Sequence, residues 1–365
     1  MIDAFVLITI LFLTSYICLI LIFIKGWYQV PYFKGNENVI PDFKVSLVIC
    51  CKDEAHHLPV LIDALRNQSF QHFELVWVND HSEDDTLQVI EQSRTYFPGM
   101  QIINSPSKGK KLAQQAGILA ASGELIVTTD ADCIPAEKWL ESIVDFQTQY
   151  HADLIIAPVK LVPGTTLFTR IQQLEFATLV GSGMAAAGTD MPILCNAANM
   201  AFLKKAWLES RFYLHDEELS GDDVFLLLSI KKRKGKIGVL KSRDAMVMTG
   251  YKKTLKAFIN QRRRWASKSS KYTDWHMIST GIIVAGVNFL LFALFLIVLC
   301  IPQLWLVFLS VFIIKLMIDF FFLQFIQPCF QFKLKIVRVL VLSLVYPIYV
   351  TFVGLSSLLW KKKDW

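Results

Sequence analysis

Four long apolar runs constrain this chain more than any other feature. Ala4 to Ile24, Met277 to Cys300, Leu304 to Ile326 and Leu340 to Trp360 are each near the ~20 residues a helix needs to cross the hydrocarbon core of a bilayer. They account for a composition that is 54% hydrophobic and includes 27 Phe, so an integral membrane protein is expected. Only Lys25, Trp27 and Tyr28 come after the first run, with no small-residue cleavage site, and it reads as a retained anchor. Lys25 and Lys34 flank the next segment, which places the chain beyond it on the cytoplasmic side, in a bacterial inner membrane. Three C-terminal crossings would then carry Lys361 to Lys363 to the opposite side, against the positive-inside rule. Either Tyr346-Pro347 breaks the last run into a re-entrant hairpin or the rule fails here. Lys315 and Asp319 lie four apart inside a span, and the cost of intramembrane charge predicts an ion pair facing other helices.

The net charge of +6 is not a nucleic-acid signature, because much of the excess lies beside the apolar runs and the middle of the chain is nearly balanced. Seven cysteines show no CxxC and no metal-ligand spacing, so they read as small buried hydrophobes in a reducing compartment.

From Val45 the pattern alternates. Val45 to Cys51, Phe73 to Val78, Gln101 to Ile103 and Glu124 to Asp130 read as strands. Helices are expected over Leu58 to Gln68, from a Ser82 cap to about Tyr96, and over Lys110 to Ala121. This βαβ alternation implies an α/β fold with a mainly parallel sheet and right-handed crossovers. Ligands of such sheets sit at the C-terminal strand ends, where Asp80 and Asp130 would share one edge. The strand closing in Asp130-Ala-Asp132 delivers two carboxylates one residue apart, a set that can converge on a hard cation, Mg²⁺ or Mn²⁺. The same spacing also occurs in simple turns.

Several blocks in order resemble family 2 glycosyltransferases with the GT-A fold, a Rossmann-like architecture. They are Val45 to Glu54, Phe73 to Thr86 with Asn79-Asp80, Gly109-Lys110 to Gly117, Asp130-Ala-Asp132, Asn199 to Phe202, Ser220-Gly-Asp222-Asp223 and Gln261-Arg-Arg-Arg264-Trp265. The resemblance implies a nucleotide-diphosphate sugar donor, with Glu54, Asp80, Lys110 and Asp130 on the donor side and a divalent cation held by Asp130 and Asp132. It also implies Asp223 as the general base of an inverting displacement, beside Asp222 in place of a more usual Glu. Gln261, Arg264 and Trp265 share one helical face and would meet the sugar and diphosphate. Read without the resemblance, they form a basic interfacial helix. The Gln-x-x-Arg-Trp block is shared by processive polysaccharide synthases and by ceramide glucosyltransferase-like enzymes that add one sugar to a lipid.

The expected organisation is an anchor at 1–25, a linker at 26–44, a GT-A domain at 45–250, an amphipathic interfacial segment at 251–275 and a transmembrane region at 276–365. Thr165 to Gly188 reads as an amphipathic helix whose Gly181 and Gly183 let an acceptor approach. The expected function is metal-dependent, inverting transfer of a sugar, UDP-linked by preference, to a lipid or lipid-linked acceptor. The alternatives are a processive synthase extending a growing glycan and a non-catalytic scaffold retaining the GT-A shell. No nucleic-acid partner is expected.

Overall fold

The structure is a computed structural model that describes residues 2–36, 40–210 and 222–358. Helix α1 (Ile2–Gln29) comes first. An alternating series succeeds it: β1 (Val45–Cys51), α2 (Leu58–Arg66), β2 (Glu74–Asn79), α3 (Thr86–Gln92), β3 (Gln101–Asn104), α4 (Lys110–Ala120) and β4 (Leu125–Asp130). Next are β5 (Ile134–Pro135), α5 (Trp139–Tyr150), β6 (Leu154–Ile156), β7 (Val159–Leu161) and α6 (Leu167–Ala187). Then come β8 (Met200–Leu203), α7 (Lys204–Ser210), α8 (Asp222–Lys232), β9 (Ile237–Val239), β10 (Val247–Thr249) and α9 (Leu255–Ala266). Three long helices, α10 (Trp275–Cys300), α11 (Trp305–Phe330) and α12 (Ile336–Leu358), complete the described chain.

These elements form two compact units. The first is built on a seven-stranded sheet in the order β3-β2-β1-β4-β8-β6-β9. Strands β1 to β4 are mutually parallel neighbours, whereas β8 runs antiparallel to both β4 and β6. Leu47, Ile49, Val76, Trp77, Val78, Leu125, Ile126 and Val127 are fully enclosed, as expected of strands covered on both faces. Register sets the functional edge: Cys51 lies opposite Asn79 and Cys50 opposite Asp130, so the residues just beyond β1, β2 and β4 emerge at the same end. Helix α4 sits close on this sheet because Gly117 has no side chain; a Cβ there would lie 2.5 Å from Val48 Cγ1 and 2.7 Å from Val78 Cγ2. A small second sheet has the order β5-β10-β7.

The second unit gathers α1, α6 and α9 to α12. Here the expected 45–250 domain is interrupted: Pro163–Met191 belongs to the helical unit, because α6 packs on α1, α11 and α12. Gly26 of α1 meets the Ala185 carbonyl of α6, where a Cβ would collide with the oxygen. Gly181 and Gly183 are buried, and a Cβ on Gly181 would lie 3.1 Å from Ile326 of α11, so it serves close helix packing rather than the approach of an acceptor. Among the described residues, four helices are long and apolar enough to cross a membrane: Ile2–Gln29, Trp275–Cys300, Pro302–Phe330 and Ile336–Ser357. The last runs unbroken through Pro347, so of the two alternatives the re-entrant break at Tyr346-Pro347 is the one that does not form. Lys361 to Lys363 lie outside the described residues. Lys315 does pair with Asp319, at 2.7 Å, and the Tyr16 hydroxyl of α1 donates to the same carboxylate at 2.6 Å.

Candidate active site

The site in the sheet unit is assembled from loops that succeed parallel strands. After β1 the chain turns through Asp53 in a left-handed conformation (φ +54°), and this turn is sewn to the loop after β2. Asp53 N–H donates to Ser82 Oγ at 3.2 Å, Glu54 N–H to Thr86 Oγ1 at 2.7 Å and Ala55 N–H to Asp84 Oδ2 at 3.1 Å, while Glu83 N–H returns to Asp53 Oδ1 at 2.8 Å. Ser82 is thereby spent on Asp53. Helix α3 accordingly starts at Thr86, with Asp84 accepting its N–H, rather than at the expected Ser82 cap.

Asp80, buried at the end of β2, accepts the Gly109 N–H on both carboxylate oxygens, at 2.9 and 3.0 Å. Gly109 adopts φ +130°, a conformation open to glycine, and this aims its N–H back at β2. The next residue, Lys110, opens α4 and places its ammonium against Asp130. Burial disfavours the Lys110 ammonium, but the Asp130 carboxylate outweighs that penalty and holds its pKa above the ordinary lysine value.

Asp130, Asp132 and Cys133 present one ligand atom each within 4.8 Å of one another. Burial, then the charges of Asp130 and Asp132, push the Cys133 thiol up, so it stays protonated and the usable ligands are two hard carboxylates. That donor set fits Mg²⁺ or Mn²⁺, which bind oxygen and keep open positions for phosphate. Glu54 faces the same group. Burial raises its pKa, the His57 hydrogen bond at 2.6 Å lowers it, and the charges of Asp132 and Asp130 add to the rise; the net is a carboxyl above the ordinary glutamate value.

Asp223 reaches this edge through a short 3₁₀ turn over Ala197–Asn199. Its Oδ2 accepts the Ala197 N–H at 3.2 Å. The turn itself hangs on β4: Thr128 Oγ1 donates to the Ala197 carbonyl at 2.8 Å and Thr129 Oγ1 to the Ala198 carbonyl at 2.9 Å. Asp223 is therefore tied, through two hydrogen-bonded steps, to the strand that ends in Asp130. Asn199 is fully buried and fixes the turn by donating to the Pro158 and Ala245 carbonyls, at 2.8 and 2.7 Å, and accepting the Trp139 indole N–H at 2.8 Å. The sequence marks Asn199 as part of a block but gives it no task; its task is this turn. The Asp222 side chain, with Ser220 and Gly221, lies outside the described residues.

Glu54, Asp80, Lys110, Asp130, Asp132 and Asp223 thus belong to the sheet unit, and Gln261, Arg264 and Trp265 to the helical unit. In the latter, α9 is anchored by Arg262, which is buried and pairs with Glu175 of α6. Arg264 is exposed.

A mainly parallel sheet with an antiparallel insertion, acids at the ends of neighbouring strands and a carboxylate pair suited to a divalent cation is the arrangement of a GT-A fold. Residues 46–212 match the family described as Glycosyl transferase family 2. The chain is similar to the glycosyltransferase AglE of Haloferax volcanii, at 28% identity over 114 residues, covering 30% of this chain and 38% of that protein. It is also similar to the dolichyl-phosphate beta-glucosyltransferase ALG5A of Trichomonas vaginalis, at 34% identity over 124 residues, covering 29% and 38%. The chain thus spans well under half the length of these relatives. Among solved structures, the mannosyltransferase PcManGT from Pyrobaculum calidifontis, in complex with GDP-Man and Mn²⁺, shares the fold, with a TM-score of 0.57 and 15% identity over 98% of this chain and all of that one.

Proposed function

We propose that the chain transfers a sugar, with inversion, from a nucleotide-diphosphate donor, UDP-linked by preference, to a lipid or lipid-linked acceptor at the cytoplasmic face of a membrane. The observation that carries this reading is the mounting of Asp223: a carboxylate on the first turn of α8, tied through Ala197 and Thr128 to the strand bearing Asp130. A placed carboxylate can take the proton from an attacking acceptor hydroxyl, a contribution of roughly 10²- to 10⁴-fold. Lys110, paired with Asp130, would turn to the diphosphate as the donor enters, and Glu54 and Asp80 would line the nucleotide side. Asp130 and Asp132 would hold Mg²⁺ or Mn²⁺, which when bound neutralises charge on the leaving diphosphate. The donor role that the resemblance gives Gln261, Arg264 and Trp265 stays within this proposal. The lipid acceptor is supported by the four apolar helices and by a relative named for transfer to dolichyl phosphate.

Membranes containing the full chain, incubated with labelled UDP- and GDP-sugars and extracted to separate lipid from polymer, test it. One sugar per lipid is expected; long chains would favour processive synthesis. Asp223→Asn should lower turnover by about 10²-fold or more while UDP binding persists. Equal loss of both would remove Asp223 from the base role.

A further inference from the structure

The Gln-x-x-Arg-Trp block draws attention to Gln261, Arg264 and Trp265, yet the most constrained side chain of α9 is the intervening Arg262. It is 5% exposed, and its guanidinium is committed on every side. Nε donates to Glu175 Oε1 at 3.0 Å, and Nη2 donates to Glu175 Oε2. The Tyr349 hydroxyl of α12 adds a contact at 3.3 Å to the same carboxylate. Nη1 donates to the Gln261 side-chain oxygen at 2.8 Å. The guanidinium carbon lies 4.2 Å from the Trp265 ring centroid and 4.6 Å from that of Phe258. These two residues stand one turn either side of Arg262 on the same helical face.

A buried ion pair is weak evidence for stability, because its desolvation cost rivals its attraction and an apolar pair of similar volume often serves as well. Retaining one here calls for a different reason, and the contacts supply it. With its oxygen accepting from Arg262, the Gln261 amide is fixed in orientation and turns its NH₂ group, a hydrogen-bond donor, away from the guanidinium. With a guanidinium against its ring, Trp265 is restricted to one orientation.

We infer that Arg262, clamped by Glu175 and Tyr349, is a positioning residue that orients the Gln261 amide to present its NH₂ donors and seats the Trp265 indole for an oxygen-rich ligand such as a sugar diphosphate. This rests on the donor role proposed above for the block.

The test uses the full chain in membranes or detergent, with release of UDP from UDP-sugars as the activity probe and the Trp265 emission, isolated by difference against Trp265→Phe, as a probe independent of substrate. An apolar replacement, Arg262→Met with Glu175→Leu, preserves packing but removes the clamp. The sugar-nucleotide KM should rise about tenfold, with a smaller change in kcat, as expected for groups coupled in one network. The Trp265 emission should shift, and in a Trp265→Ala background the replacement should have much less effect. The isosteric Glu175→Gln and the milder Tyr349→Phe should move KM and emission in the same direction by smaller amounts, which covers the case in which the double variant does not fold. An unmoved Trp265 emission, or losses that add independently to that of Trp265→Ala, would overturn the inference. If Gln261→Ala and Trp265→Ala themselves leave KM unchanged, the donor role of the block fails instead, and the emission alone decides whether Arg262 seats the indole.

Discussion

Lys110 against Asp130 and Arg262 against Glu175 are both cation–carboxylate contacts, one in each unit, and they are built for opposite purposes. The first joins side chains 28% and 31% exposed, at strand ends that also carry Asp132 and Glu54. The second is two-pronged, with partners 5% and 8% exposed, and is enclosed by Tyr349, Phe258 and Trp265. A partly exposed pair can exchange its lysine for another cation more readily than a closed, multiply bonded pair can. In the proposed function, the sheet unit keeps charge replaceable where the donor would arrive. The helical unit locks it where shape must persist.

The largest effect that could break this contrast is on stability. Glu175→Ala leaves a guanidinium buried without its carboxylate and should cost about 3–5 kcal/mol, read by thermal unfolding of the full chain in detergent; a loss as small as that at an exposed pair would erase the distinction. Next, Asp132→Ala should weaken Mn²⁺-dependent UDP binding about tenfold or more, ~1.4 kcal/mol, measured by titration with and without the ion. Affinity unchanged in the presence of Mn²⁺ would deny the carboxylates their metal. Lys110→Gln should shift thermal stability less than Glu175→Ala does, since its pair is only partly buried.

The smallest effect is in pH. Glu54 has its pKa raised above the ordinary 4.5, so the folded chain holds that proton more tightly than the unfolded chain. The resulting stability is fully present below the ordinary value and is lost as pH rises through the raised one. Glu54→Gln should flatten that decline. Mn²⁺ should do the same in the unaltered chain, because a cation beside Asp130 and Asp132 offsets the charges that raise Glu54. Unfolding midpoints measured against pH, with and without Mn²⁺, check both.

The parallel half of the sheet is legible in the sequence because β1, β2 and β4 are apolar runs that end in polar residues, and alternation with helices dictates their direction. β8 is not: a four-residue apolar strand carries no signal of direction, and its antiparallel course is set by its neighbours β4 and β6. Asp80, Asp130 and Asp132 stand out as acids at strand ends, whereas Asn199, Thr128 and Thr129 act through backbone contacts that leave no spacing pattern. Arg262 is eclipsed in the sequence by Gln261, Arg264 and Trp265. Its signal lies elsewhere, in Glu175, the lone carboxylate of α6, which has to find a cation. The unbroken course of α12 through Pro347 is equally hidden, since a proline inside a helix is tolerated where neighbouring helices pack around it.

The excursion of the chain into α6 between β7 and β8 bears on how the protein can be dissected. Trimming away both termini to leave residues 30–250 would look, on paper, like a soluble sheet domain. Such a fragment would still carry α6, with Leu174, Phe176, Ala177, Val180 and Met184 stripped of their cover from α1, α11 and α12. It would be an adhesive protein, and a short polar bridge from Val162 to Pro192 is the replacement that would free the catalytic half for study in water.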